Sequence, residues 1–197
     1  MKTISRDDWL TDALRDLKEK NLYRKWHVLE ELKGTRARIG GNEVTLFCGN
    51  DYLGLSRHAR VIGAAERALE EGVGAGSARL ISGTTPWHQA LENRIARFLE
   101  KPRALLFSSG YLANLGVLAS LAKSGDLVIL DKLSHASLID AARLSPAQLR
   151  IYPHRNLNYL EKILAARRSG RAWIVTDSLF SMDGDLAPLS ELVALKN

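Results

Sequence analysis

Three short apolar runs in the second half of the chain, each followed at once by a polar motif, constrain the fold more than any other feature. The runs are Arg103–Phe107, Asp126–Asp131 and Ala172–Thr176. Helical patterns alternate with these predicted strands, which indicates the α/β class: a mostly parallel sheet with flanking helices. Ligands bind in such a sheet beyond the carboxyl ends of the strands. We therefore expect three distant motifs to meet in one site: Phe107–Tyr111, Asp131–Ser137 and Thr176–Gly184.

The first motif combines a sharp turn with the start of a helix near Tyr111. Ser108, Ser109 and Gly110 supply small side chains, two hydroxyls and a permissive backbone. Unpaired N–H groups at a helix start, together with serine hydroxyls, form an anion site, most often for phosphate. An ordinary turn with a serine N-cap accounts for the same residues equally well, so both interpretations stay open.

The second and third motifs add polar groups at the same predicted edge. His135 follows a strand end between Ser134 and Ser137, where its imidazole would lie face-on to a planar ligand and donate a hydrogen bond. Ser181 and Asp183 add a hydroxyl and a carboxylate after the third strand. A single histidine in a loop is usually a polar residue whose hydrogen bonds are made within the protein. The position of His135 at the same sheet edge as the possible phosphate site of Ser108–Gly110 favours a binding role instead.

Together these motifs resemble those of the α-oxoamine synthases, which are pyridoxal-phosphate enzymes of fold type I. The resemblance covers nearly the whole chain from Leu22 onward and rests on several ordered motifs. They are Asn50–Leu55, Gly74–Thr84, His88–Glu92, Phe107–Asn114, Leu133–Ser145 and Phe180–Leu189. The resemblance implies that the chain forms part of the large domain of such an enzyme. Residues 1–45 would form an N-terminal helix and a hairpin-like arm, and residues 46–197 an incomplete cofactor-binding domain.

The resemblance also implies roles for residues of the second half. Ser109, Gly110 and Tyr111 match the positions that hold pyridoxal 5'-phosphate at the start of the helix. His135 matches a catalytic histidine stacked on the pyridine ring, and Ser181 matches a serine bonded to the ring hydroxyl. This implied set surrounds one planar phosphate ester.

Two residues of the first half match substrate-binding positions of the family. Asn50 corresponds to an asparagine near the amino-acid carboxylate, and Arg24 to an arginine that meets the acyl substrate. The segment around Arg24 has no sharp motif, so a residue on a solvated face is the alternative interpretation.

The reaction implied by the resemblance is a decarboxylative condensation of an amino acid with an acyl thioester. The branch of the family that acts in biotin synthesis is the one most resembled, through Asp140–Ser145 and Gly184–Leu189. Its members are homodimeric acyltransferases that take L-alanine and pimeloyl-CoA or pimeloyl-acyl carrier protein. In the family, the Schiff-base lysine and the aspartate paired with the pyridine nitrogen lie downstream of the segment matched here. The chain is therefore expected to be the front part of an enzyme and inactive by itself.

Two alternatives stay open at this point. One is another family member that joins glycine or serine to a different acyl-CoA. The other is a noncatalytic, lysine-free subunit that pairs with an active one.

Charge and cysteine content argue against other classes of protein. The net charge is +6 and the pI about 9.6, but the basic residues cluster in Arg167–Arg171 at the end of a predicted helix, so we predict no nucleic-acid partner. The single cysteine, Cys48, rules out an internal disulfide and a four-cysteine zinc site, and no metal is predicted. Without a signal peptide or an apolar run of membrane-spanning length, a cytoplasmic protein without a membrane partner is expected.

The remaining pattern predicts the elements that carry these motifs. They are helices over Arg6–Lys20, Ala59–Glu71 and Pro86–Glu100, a turn at Gly40–Gly41, and strands over Val44–Cys48 and Gln148–Tyr152. The apolar face of the third helix is predicted to pack in the core: Trp87, Leu91, Ile95, Phe98 and Leu99. The glycines of Gly72–Gly76 follow a helix and not a strand, which argues against a dinucleotide-binding motif.

Overall fold

The computed structural model describes residues 8–167 and 169–195, which divide into two compact units between Gly74 and Ala75. The helices are α1 Asp8–Glu19, α2 Ala59–Leu69, α3 Pro86–Phe98, α4 Gly110–Leu121, α5 Ala136–Leu144, α6 Leu157–Ala165 and α7 Leu189–Leu195. The strands are β1 Arg36–Ile39, β2 Asn42–Thr45, β3 Leu127–Asp131, β4 Gln148–Tyr152 and β5 Ala172–Val175. The predicted start of the first helix, Arg6, lies outside the described residues.

The first unit contains α1, α2 and an antiparallel hairpin of β1 and β2. Gly40 and Gly41 form its turn with φ angles of 54° and 81°, values that residues with a side chain rarely adopt. This two-residue turn pairs Ile39 with Asn42, so β2 begins directly after it. The strand therefore begins two residues earlier and ends three residues earlier in the sequence than the predicted Val44–Cys48.

The second unit is built on a parallel sheet in the order β4-β3-β5. All five residues of the central strand β3 are buried. Successive side chains of a strand point to opposite faces, and β3 accordingly contributes Leu127 and Ile129 to one core and Val128 and Leu130 to the other. The alternation of these strands with α5 and α6 confirms the predicted α/β class.

The predicted strand at Arg103–Phe107 is wrong for the described residues, because this segment has no neighbouring strand there. Side chains engage its backbone instead. The Leu106 N–H donates to Glu92 Oε1 at 2.7 Å, and the Leu106 carbonyl accepts from an Arg79 guanidinium nitrogen at 3.0 Å. Because Arg79 and Glu92 also pair with each other at 2.7 Å, the segment is fixed in place without a ladder.

The predicted core face of α3 is likewise not buried among the described residues. Trp87, Leu91 and Leu99 are exposed, and Phe98 is 84% exposed. The helical period correctly indicates an apolar stripe, but it does not indicate what covers that stripe. Among the described residues of α3, only Ala96 is fully buried.

One contact places the start of α4 beside the start of α5, and another packs α4 against the segment that precedes it. Asn114 Nδ2 donates to Ser137 Oγ at 2.8 Å. Gly116 leaves room for the Phe107 ring, since a Cβ atom at Gly116 would lie 2.7 Å from the ring edge. Both helices therefore begin at the carboxyl edge of the sheet. Within the described part of the chain, no helix has the length and apolar character needed to span a bilayer.

Candidate functional site

The candidate site lies where β3 and β5 end and where α4 and α5 begin. The carboxylate of Asp131, the last residue of β3, accepts from the Leu133 N–H at 2.9 Å and so turns the chain toward His135. Because β3 and β5 are parallel neighbours, the segment after β5 leaves the sheet at the same edge. The loops after both strands can therefore contribute to one site.

His135 is the N-cap of α5, and its ring is held in one orientation. Its Nδ1 atom lies 2.7 Å from Ser137 Oγ and accepts from the Ser137 N–H at 3.2 Å. Its backbone N–H donates to Asp177 Oδ2 at 2.9 Å. Since Nδ1 accepts, a neutral ring carries its proton on Nε2, an atom that forms no hydrogen bond within the described residues. The residue is exposed, which leaves the ring accessible to a ligand.

The start of α4 has both features that the sequence left open, a serine N-cap and free N–H groups for an anion. Ser109 is indeed the N-cap, because its Oγ accepts from the Leu112 N–H at 3.1 Å. The N–H groups of Gly110 and Tyr111 have no acceptor within residues 8–167 and 169–195, as expected for the first residues of a helix. A Cβ atom on Gly110 would meet nothing within 4 Å. An anion therefore has free donors and open space there.

Tyr111 connects the start of α4 to α5. Its ring lies edge-on to the His135 ring, with the centroids 6.5 Å apart and the planes at 78°. Its hydroxyl donates to the Asp140 carboxylate, and this bond raises the pKa of the Tyr111 phenol. The structure thus brings together three residues that the sequence proposed for one site: Gly110, Tyr111 and His135.

Ser181 lies in an exposed turn that follows β5. The turn is closed by two backbone hydrogen bonds, from the Gly184 N–H to the Phe180 carbonyl at 2.7 Å and from the Phe180 N–H to the Asp185 carbonyl at 2.9 Å. Within the described residues its hydroxyl forms no hydrogen bond, which leaves it available to a ligand. The cofactor-contacting role of Ser181 remains a prediction.

The two predicted substrate residues, Arg24 and Asn50, belong to the other compact unit. Both are exposed and lie in irregular segments. They form no hydrogen bond with any other described residue. Their roles therefore also remain predictions.

Sequence reasoning missed Asp177 and the side-chain role of Asp140 at this edge. Asp177 lies two residues after the end of β5, so the rule that singled out His135, a polar residue just beyond a strand end, would have found it. Asp140 lies within α5 and carries no comparable signal. Only the packing of α4 on α5 places it opposite Tyr111.

This set of groups fits a planar aromatic phosphate ester. The two free N–H groups at the start of α4 suit a phosphate, and the exposed imidazole of His135 presents a flat face and a ring nitrogen without a hydrogen bond. The site can therefore bind an anionic group and orient a ring beside it.

Comparison with known proteins shows what the chain is similar to. Residues 42–197 match the family described as aminotransferase class I and II. The chain is 49% identical over 189 residues to an 8-amino-7-oxononanoate synthase of Geobacter sulfurreducens, an alignment that covers 95% of this chain and 48% of that protein. The chain thus spans about half the length of the curated relatives it matches.

Solved structures share the fold. A serine palmitoyltransferase variant from S. paucimobilis with a bound PLP–myriocin aldimine superposes with a TM-score of 0.85 at 33% identity, covering 99% of this chain and 50% of that one. An 8-amino-7-oxononanoate synthase from Francisella tularensis superposes with a TM-score of 0.64 at 34% identity, covering 76% of this chain and 41% of that one.

Proposed function

Because the chain belongs to the aminotransferase class I and II family, we propose that the complete gene product containing it is a pyridoxal-phosphate-dependent acyltransferase. It condenses L-alanine with pimeloyl-CoA or pimeloyl-acyl carrier protein, and it releases carbon dioxide and the free thiol to give 8-amino-7-oxononanoate, a step of biotin synthesis. The observation that carries the proposal is the convergence of the free N–H groups of α4 with the fixed ring of His135. The names of the similar proteins support the choice of substrates.

The residues of this chain bind and orient the cofactor. The N–H groups of Gly110 and Tyr111 hold its phosphate, with Ser109 fixing the helix start, and His135 stacks on its ring. Ser181 donates its hydroxyl to the oxygen on the ring. Pyridoxal phosphate supplies the electron sink for removal of the α-proton and for decarboxylation.

The substrates are assigned to the other unit of the chain. Asn50 binds the amino-acid carboxylate, and Arg24 meets the acyl chain or its carboxylate. The exposure of both side chains supports contact with ligands. Direct binding of substrate is therefore assigned to the first unit, and cofactor binding to the second.

A homodimer in the cytoplasm belongs to the same proposal. Large apolar side chains are exposed in the two segments that were matched to the family near residues 50 and 80: Tyr52 at 79%, Leu53 at 80%, Leu80 at 98% and Ile81 at 81%. Exposed apolar groups of this kind mark surfaces that the rest of the complete gene product or another molecule covers. They support a second copy of the protein as the partner.

The reaction is tested by assaying the complete gene product, loaded with pyridoxal phosphate, against paired substrates. We expect 8-amino-7-oxononanoate and carbon dioxide from L-alanine and a pimeloyl thioester, with much less product when glycine or serine replaces alanine. Preference for glycine or serine with another acyl-CoA would identify a different α-oxoamine synthase. Cofactor binding without turnover on any pair would favour the noncatalytic subunit.

The proposed phosphate site at the start of α4 predicts different affinities for pyridoxal phosphate after two substitutions of Gly110. Gly110→Pro removes one free N–H, yet proline is well accepted at the first helical position, and the extended Ser109 before it is compatible with proline. We expect pyridoxal phosphate to bind about 10-fold to 100-fold more weakly, as for loss of one hydrogen bond to a charged group. The measurement is a titration followed by the absorbance of the cofactor.

Gly110→Ala is the matched control, because it keeps the N–H group and its Cβ meets open space. It should bind pyridoxal phosphate more tightly than Gly110→Pro, because only the proline variant lacks the donor. Equal affinities for the proline and alanine variants would contradict a phosphate at the start of α4.

A further inference from the structure

One histidine outside the residues considered so far joins the segments that follow all three parallel strands. His154 lies two residues after the end of β4. Its Nδ1 atom is 2.8 Å from Oδ1 of Asp131, at the end of β3, and its Nε2 atom is 2.9 Å from Oδ2 of Asp185, beyond β5. The ring thus connects the end of β3, from which the chain leads to His135, with the segment that follows the Ser181 turn.

The two partners determine which form of this ring completes the bridge. An ionised carboxylate only accepts hydrogen bonds, so a bridge to two ionised carboxylates requires both ring nitrogens of His154 to donate, which is the imidazolium form. Asp131 is 1% exposed. It also accepts from the Arg155 N–H at 2.8 Å and from the Leu133 N–H at 2.9 Å. These donors compensate the burial of its charge.

The same ring holds both ends of the turn that carries Ser181. Phe180, which precedes Ser181, is 2% exposed and meets the His154 ring edge to face, with the centroids 4.5 Å apart. Asp185, which follows the turn, bonds His154 and also accepts from an Arg155 guanidinium nitrogen at 3.0 Å. The position of the Ser181 turn relative to β3 therefore depends on His154.

We infer that protonated His154 is a positioning residue of the cofactor site: it holds the Ser181 turn and the His135 loop in one arrangement through Asp185, Phe180 and Asp131. The inference rests on the proposed function, because it is the cofactor that Ser181 and His135 are proposed to contact. His154 itself does not touch the cofactor in this role. Its effect passes through the two loops.

The charges around His154 determine how the arrangement depends on pH. The bonds to Asp131 and then Asp185 raise the pKa of His154, and the bond from His154 lowers the pKa of Asp185. Among the described residues, the other charged or titratable groups facing this cluster are Tyr152, whose pKa is raised to about 12 chiefly by burial, and Arg155. A group with a raised pKa stabilises the folded state fully below its ordinary value, about 6.5 for histidine, and loses that effect as the pH rises through the folded value. The bridge is therefore complete at about pH 6 and is lost on the alkaline side, above the raised pKa.

The test uses the complete gene product with three substitutions. In His154→Gln the side chain has one donor nitrogen and cannot donate to carboxylates on opposite sides. Asp185→Asn keeps His154 and the sheet but weakens the bond to the turn. The control is His27→Gln, because His27 is exposed and forms no hydrogen bond or ion pair with any described residue. Pyridoxal phosphate affinity and the absorption spectrum of the bound cofactor are measured from about pH 6 to about pH 9, and the urea midpoint of each variant is recorded.

At about pH 6 we expect affinity on the order of tenfold lower for His154→Gln and Asp185→Asn than for the unaltered protein, as for displaced binding groups. This difference should shrink as the pH rises through the raised pKa of His154, where the unaltered protein loses the same bridge. The spectrum should change in the same way, and His27→Gln should match the unaltered protein throughout. Nitrogen-15 spectra of the histidine rings, assigned with His154→Gln, should show both His154 nitrogens protonated at about pH 6.

Three outcomes would overturn the inference. They are a single protonated His154 nitrogen at about pH 6, cofactor binding that is the same in all variants at every pH, and urea midpoints lowered without any change in affinity or spectrum. The last would show that the bridge only stabilises the fold. Failure of the unaltered protein to bind pyridoxal phosphate would overturn the proposed function as well. That outcome is seen in the unaltered protein alone, so it is distinguished from a failure of the inference about His154.

Discussion

The 197-residue chain, assayed by itself with L-alanine and a pimeloyl thioester, should give no product. The family motifs matched in this chain include neither the lysine that forms the Schiff base nor the aspartate that pairs with the pyridine nitrogen. Without that lysine no residue is positioned to bond the cofactor specifically and move the α-proton, and without the aspartate the ring withdraws electrons less strongly. Weak binding of pyridoxal phosphate should persist, because Gly110 and Tyr111 retain their free N–H groups.

The measurement is borohydride reduction of the cofactor-loaded chain, followed by peptide mapping and the product assay. The complete gene product, treated in parallel, provides the positive control. We expect only scattered substoichiometric labelling of the 197-residue chain. Stoichiometric labelling of a single lysine together with turnover would mean that the site is complete within these residues and that the proposal about the missing groups is wrong.

Replacing His135 in the complete gene product should reduce turnover on the order of a hundredfold, the loss typical of a misplaced reacting group. The ring is fixed by Ser137 and by the Asp177 carboxylate on the backbone N–H, and in the proposed site it stacks on the cofactor. Its removal should therefore also shift the absorption spectrum of the bound cofactor. The measurements are steady-state kinetics and the spectrum.

The choice of substitution separates this role from a structural one. His135 caps α5, so His135→Ala should also cost about 1 kcal/mol of stability through the lost cap. His135→Asn retains a good N-cap side chain but lacks the ring. We expect both variants to lose activity and only the alanine variant to lose stability in urea. Full activity in His135→Asn would show that the histidine serves α5 and not the cofactor.

The sequence predicted the parts of this protein that depend on local patterns. Short apolar runs followed by small polar residues correctly predicted β3 and β5, and the position of His135 beyond the end of β3 was predicted from the same pattern. The serine and glycine before an apolar helical pattern gave the capped start of α4. Each of these features is encoded within a few neighbouring residues, so it can be recognised without knowing the fold.

Local pattern was insufficient where the outcome depends on what lies beside an element. The run at Arg103–Phe107 has the composition of a strand, yet a strand also needs a neighbour, and Arg79 and Glu92 bond its backbone instead. The apolar stripe of α3 was recognised correctly, but Trp87 and Phe98 remain exposed in this unit. The amino-acid composition of an element shows which side chains it can bury, but it does not show which neighbouring element packs against them.

The contacts that organise the site were decided only by the tertiary structure. Asp177 bonds the His135 backbone across 42 positions of sequence, and Asp185 meets His154 across 31. These pairs form because β3 lies between β4 and β5 in a fixed parallel register, and a shift of one residue would turn each side chain to the other face. The sequence by itself determined which chemical groups lie at the strand ends. Strand order and register decided which of these groups are in contact, because both arise from burying the two faces of β3.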